Sequence, residues 1–129
     1  MHAPVTALYA GLLALLLIAL AARIPLLRQK HRVGIGSGKQ PDLALAMRVH
    51  GNATEYVPIA LLLLLLAELN GFPAWSVHAA GSGLFLGRIL HAFGLGRSAG
   101  ASPGRFIGTA LTWLVIVTLA ASLIFNVLT

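Results

Sequence analysis

From Pro4 to Ala22 the chain carries no charged residue, and from Phe106 to Thr129 it carries none again. Two further apolar runs lie between them, Ile59 to Ala67 and Ala74 to Gly87. Runs of this kind admit few folds, because roughly 20 apolar residues in a helix match the hydrocarbon thickness of a bilayer. Hydrophobic residues make up 58% of the 129, and Asp, Glu, Lys and Arg only 9%. A soluble domain carries about 25% charged residues, so this chain cannot cover a water-exposed surface. Disorder is excluded as well, since it needs low hydrophobicity and high charge. The length permits one compact unit of a few long helices. Cysteine is absent, which removes disulfides, thiolate metal sites and a cysteine nucleophile.

The charges divide the chain into spans and loops. They predict an all-α membrane protein, a single domain over 1–129 built as a four-transmembrane-helix bundle. The helices are expected over about 4–27, 43–69, 74–93 and 105–127. Repeated ten-residue alternation, the mark of an outer-membrane barrel, is missing. Segment 28–42 holds Arg28, Lys30, Arg32, Lys39 and three glycines, and reads as a flexible loop without helix. Asp42 stands where an N-cap would stand. Asn70–Gly71–Phe72–Pro73 has the composition of a tight turn. Segment 94–104 is a second loop, rich in Gly and Ser, with Arg97.

Nine basic and three acidic residues give a net charge of +6. No exposed helix has a basic stripe, so nucleic acid is not the expected partner. Membrane orientation accounts for the charge instead, because Lys and Arg collect in cytoplasmic loops. Loops 28–42 and 94–104 are then cytoplasmic, and both termini and the 69–74 turn face the other side. The first 22 residues lack the basic start of a secretory signal and read as a retained helix.

The second span is the informative one. Arg48, Asn52 and Glu55 sit at i, i+4 and i+7 and share a narrow face. Arg48 and Glu55 are about 10 Å apart along the axis, and Glu55 is roughly 18 Å from the Leu43 end. Ionisable groups at such depth mark a ligand or transport site by default. A polar network that holds helices together is the alternative. Pro58 removes the amide that would meet the Thr54 carbonyl, which predicts a local kink or a freed carbonyl beside Glu55. Arg88 and His91, at i and i+3 of the third span, lie at a depth comparable with Arg48. Together they would make an anion-attracting pocket open to the cytoplasm. Alternatively Arg88 snorkels to the headgroups and His91 is simply packed. Tyr56 points about 100° away from Glu55, toward a partner subunit or the lipid interface. Gly83 and Gly87 form a small-xxx-small pair suited to close packing. Glu68, Asn70 and Trp75 read as interface residues, and Trp113 as packed against protein or lipid.

Some apparent motifs fail. Gly34 to Lys39 lacks Walker spacing and a preceding strand. Asn52–Ala53–Thr54 is a sequon inside a membrane helix. Of five histidines only His50 and His91 share a depth, so no metal site is expected.

The stretch Arg48-Val-His-Gly-Asn52-Ala-Thr-Glu55-Tyr56-Val-Pro58 resembles the signature of the MAPEG family, the membrane-associated proteins in eicosanoid and glutathione metabolism. The similarity extends over essentially the whole chain and looks strongest toward the family's bacterial branch. The resemblance implies a left-handed four-helix bundle assembled as a homotrimer in the bacterial inner membrane. It implies glutathione, or a similar thiol, in a cleft between subunits, with Arg48, Asn52, Glu55 and Tyr56 as ligand contacts. Arg88 and His91 match further ligand-site positions on the third helix. Glutathione-using members carry tyrosines where this chain has His91 and Leu95. They also carry an arginine that polarises the thiol, for which Arg97 and Arg105 are the candidates. The implied function is a glutathione-dependent transferase or peroxidase acting on a hydrophobic electrophile delivered from lipid. A non-catalytic binding or structural protein on the same scaffold is the alternative.

Overall fold

The computed structural model describes residues 2–97 and 102–129. Four α-helices make up the chain: α1 (Pro4–His31), α2 (Pro41–Leu69), α3 (Ala74–Arg97) and α4 (Pro103–Leu128). The central helices α2 and α3 pack on each other and on both outer helices, while α1 and α4 do not touch among the described residues. The all-α, four-helix expectation is met.

The helices run past the limits set by charge. α1 continues four residues beyond Leu27 to His31, α2 starts at Pro41, and α3 continues to Arg97. Charged residues mark where lipid ends, and a helix can continue into water. Arg28, Lys30 and His31 sit in the last turn of α1, where cations favour the negative end of the helix dipole. The helix stops at Arg32, which adopts a left-handed conformation with φ 54°, and the Val33 amide reaches back to the Arg28 carbonyl at 3.0 Å. The connection to α2 thus shrinks to nine residues, 32–40. It is pinned by Arg28, which donates to the Gly34 carbonyl at 2.9 Å, and by His31, which meets the Asp42 carboxylate at 2.9 Å. The expectation of Asp42 as N-cap is corrected: Gln40 is the N-cap and Pro41 opens the helix. Proline suits that place because its missing amide would have no helical partner. Pro58 leaves α2 unbroken from Pro41 to Leu69.

α1, α2 and α4 are each long and apolar enough to cross a membrane. α3, expected as the third of four spans, does not reach the same hydropathy over its described residues. Its 24 residues reach about 36 Å at 1.5 Å per residue, beyond the roughly 30 Å of hydrocarbon. Its polar side chains turn inward instead: Arg88 and His91 are buried, and His78 and Ser82 bond to Tyr9 of α1.

One face of α2 supplies the core. Ala46, Val49, Ala53, Val57, Ala60, Leu64 and Ala67 recur every three or four residues and are buried. Leu13, Val77, Leu84, Val115 and Leu119 meet the lower part of this row from the other three helices. The alanines bring neighbouring backbones close. Glycine does so more sharply between α3 and α4. A Cβ on Gly108 would lie 2.5 Å from the Gly87 carbonyl oxygen and 2.5 Å from the His91 amide nitrogen. Gly83 and Gly87 both face α4, as their spacing suggests.

At the opposite end, α1 has no cap of its own. Ala3 precedes it, and its first turn holds no acidic residue. Glu68 from α2 fills the role: its two carboxylate oxygens accept from the Val5 and Thr6 amides at 2.9 and 2.7 Å. A carboxylate at a helix N-terminus also meets the positive end of the dipole. Glu68→Ala is expected to lower stability by about 1–2 kcal/mol, read as a fall in Tm of the purified protein in detergent. Glu68→Gln should fall between, because it keeps one acceptor oxygen and loses the charge.

Candidate functional site

A helix that buries one face must present another, and here the other face is polar. Arg48, Asn52 and Glu55 lie beside the Ala46–Val49–Ala53 row of α2, one position round. Arg48 donates from Nη1 to Glu55 Oε1 at 3.2 Å, so the arginine closes the gap along the axis. The pair remains 63% and 50% exposed on the single chain. In water such a pair contributes only about 0–1 kcal/mol. In a membrane the same exposure is untenable, because acyl chains offer these groups no hydrogen bonds.

Asn52 is half-buried and faces α3. Arg88 donates from Nη2 to Asn52 Oδ1 at 2.8 Å, and the same nitrogen lies 3.3 Å from His91 Nδ1. Arg88 is 1% exposed and His91 2%. These two residues stand behind the polar face, between helices, and Arg88 does not snorkel to the surface. The Nε and Nη1 groups of Arg88 are buried with no hydrogen-bond partner among the described residues. All three acidic side chains of the chain are engaged elsewhere: Asp42 with His31, Glu55 with Arg48, and Glu68 with α1. This part of the bundle therefore contains a buried guanidinium without a carboxylate.

Tyr56 is half-buried and turns toward α4, where its ring lies 6.5 Å from the Trp113 ring in a tilted arrangement. Trp113 also lines a hollow of about 520 Å³ on α4, together with Arg105, Phe106, Thr109, Ala110 and Ser102. Tyr56 thereby connects the polar stripe of α2 with a mainly apolar recess that has a cation at one end. Arg105 is placed by the start of α4, where the Ser102 hydroxyl accepts from the Arg105 amide at 3.3 Å and donates to the Gly94 carbonyl at 3.0 Å. Of the two arginines considered for thiol activation, Arg105 is the one the structure locates. The side chains of Leu95 and Arg97 lie outside the described residues.

Sequence reasoning did not find the other polar cluster. Tyr9 is buried, and its hydroxyl lies 2.6 Å from Ser82 Oγ and 3.1 Å from His78 Nδ1. The Tyr9 ring occupies the space that a Cβ on Gly81 would need. A signal for this existed in the i, i+4 spacing of His78 and Ser82, on one face of α3. The signal for the Glu68 cap was an uncapped helix start and an acidic residue at the same end of the bundle.

The chain is 41% identical over 113 residues to the inner membrane protein YecN of Escherichia coli strain K12, covering 88% of this chain and 85% of the relative. The same protein from Escherichia coli O6:H1 matches equally. The profile of the MAPEG family matches residues 6–125, which take in most of each outer helix, both central helices and every described residue of the polar face. With long apolar helices, a charged stripe on the second of them and a family profile spanning nearly its whole length, this integral membrane protein belongs to the MAPEG family.

Proposed function

We propose that the protein binds glutathione on the polar face of α2 and joins it, through its sulfur, to a hydrophobic electrophile. The observation that carries this reading is the exposed Arg48–Glu55 pair. A charged stripe inside a bilayer must be covered, and the single chain leaves it open. A second and third copy of the chain would cover it and form a cleft between subunits, which supports a homotrimer. In that cleft Arg48 meets a carboxylate of the tripeptide, where charge-assisted and bidentate bonds are strong. Glu55 meets its ammonium group, and Asn52 and Tyr56 fix its backbone. Arg88 and His91 support the face from behind.

The recess beside Trp113 suits the apolar substrate, which reaches it from lipid. Arg105 at its rim would favour the thiolate over the thiol by charge. The thiol proton passes to water, the sulfur forms a bond to the electrophilic carbon, and the leaving group departs with the electron pair of the broken bond. The basic α1–α2 loop, the Arg88–Arg105 segment and the relative's name support an inner-membrane protein with this cleft on the cytoplasmic side.

A binding protein without turnover is the second reading. It is favoured by His91 and Leu95, which stand where the glutathione-using members carry tyrosines. One titration separates the readings. Calorimetry of the purified protein with glutathione should show saturable binding, accompanied by thiolate absorbance. Binding without thiolate absorbance or conjugation would establish the second reading. A folded, assembled protein that binds no glutathione would defeat both.

A further inference from the structure

Arg88 fixes which way its neighbours' hydrogen bonds run. A guanidinium has donors and no acceptor, so whatever faces it must accept. At Asn52 the atom toward Nη2 is therefore the carbonyl oxygen, 2.8 Å away. The amide cannot flip without setting two donors against each other. Its nitrogen, with two hydrogens, must point away from Arg88. The same rule applies at His91. Nδ1 lies 3.3 Å from Arg88 Nη2 and can accept only if the ring proton sits on Nε2. One nitrogen with two hydrogens thus serves two acceptors, and the chain Asn52–Arg88–His91 has a single polarity. Burial keeps it so, because Arg88 and His91 are 1% and 2% exposed and bulk water is not there to offer other partners.

We propose that Arg88, held by His91, is a positioning residue that turns the Asn52 amide nitrogen, a donor, toward the ligand. The group that meets Asn52 is then an acceptor oxygen, and a ligand offering an N–H at that point is rejected. The rejection follows because a buried donor facing a donor leaves both unsatisfied. Arg48 lies one turn away on the same face and is donor-only, so this stretch of α2 favours carboxylate-like groups, with Glu55 as an acceptor beyond it. This extends the glutathione reading and rests on it for the identity of the ligand. The orientation of Asn52 and His91 does not depend on that reading.

Two experiments test the proposal. Asn52→Asp places a carboxylate against Arg88 and removes the outward donor. It should hold or raise the Tm in detergent and weaken glutathione binding at least tenfold. Arg88→Met should lose both stability and affinity, and Arg88→Lys should recover part of the affinity. An Asn52→Asp protein with unchanged affinity would overturn the proposal. The second measurement needs no ligand. In ¹⁵N-histidine-labelled protein, the His91 signal, assigned by its loss in His91→Gln, should show the proton on Nε2. Arg88→Met should shift that ring toward a mixture of tautomers. A proton on Nδ1 in the unsubstituted protein would overturn the proposal, even if glutathione does not bind.

Discussion

Arg48→Ala should weaken glutathione binding at least about thirtyfold, close to 2 kcal/mol. The size follows from where the residue sits. Its guanidinium bonds Glu55 at 3.2 Å on a face that the single chain leaves open. Covering that face removes water from both charges, and truncating one partner of a desolvated charge pair leaves the other uncompensated. Glu55→Ala should cost a similar amount for the same reason. The double variant should lose less than the sum, because each single change already abandons the partner charge. Calorimetry gives the affinities, and size-exclusion chromatography in detergent reports whether assembly survives. Two variants that fold, assemble and bind glutathione as before would show that the stripe does not contact the ligand. Loss of assembly in both would make the stripe a contact between subunits.

Gly108→Ala should be strongly destabilising. The added carbon would lie 2.5 Å from the Gly87 oxygen and the His91 nitrogen, both backbone atoms that cannot rotate away. α3 and α4 would have to separate where Gly87 meets Gly108. Overpacking of this kind costs about 1–3 kcal/mol and sometimes more, and here the displaced segment carries Arg88 and His91. The expected result is a large fall in Tm together with weaker ligand binding. Gly11→Ala is the control, since a Cβ there meets nothing, and it should leave both unchanged. Equal Tm values for the two variants would refute the close approach.

The helices and the charged stripe were legible in the sequence because both follow from the cost of polar groups in hydrocarbon. Uncharged runs had to be spans, and Arg48, Asn52 and Glu55 inside one had to share a face. Helix ends were less legible, since Arg28 and Lys30 report the lipid boundary and α1 continues to His31 regardless. The direction in which Arg88 points was not legible at all. Periodicity places it on α3 but does not say whether the guanidinium reaches outward or folds back between helices. The structure turns it inward, to Asn52, thirty-six residues earlier in the chain. Glu68 escaped for a related reason: its partners are backbone amides, which leave no trace in side-chain spacing.

The distance along the chain between Glu68 and the amides it caps has a consequence for biogenesis. Val5 leaves the ribosome long before Glu68 does, 63 positions ahead of it. Until the second helix is synthesised, the leading turn of the first has bare amides and must keep them in water or against a translocon wall. Pairing of the first two helices therefore completes, with a side chain made later, the turn that was made first.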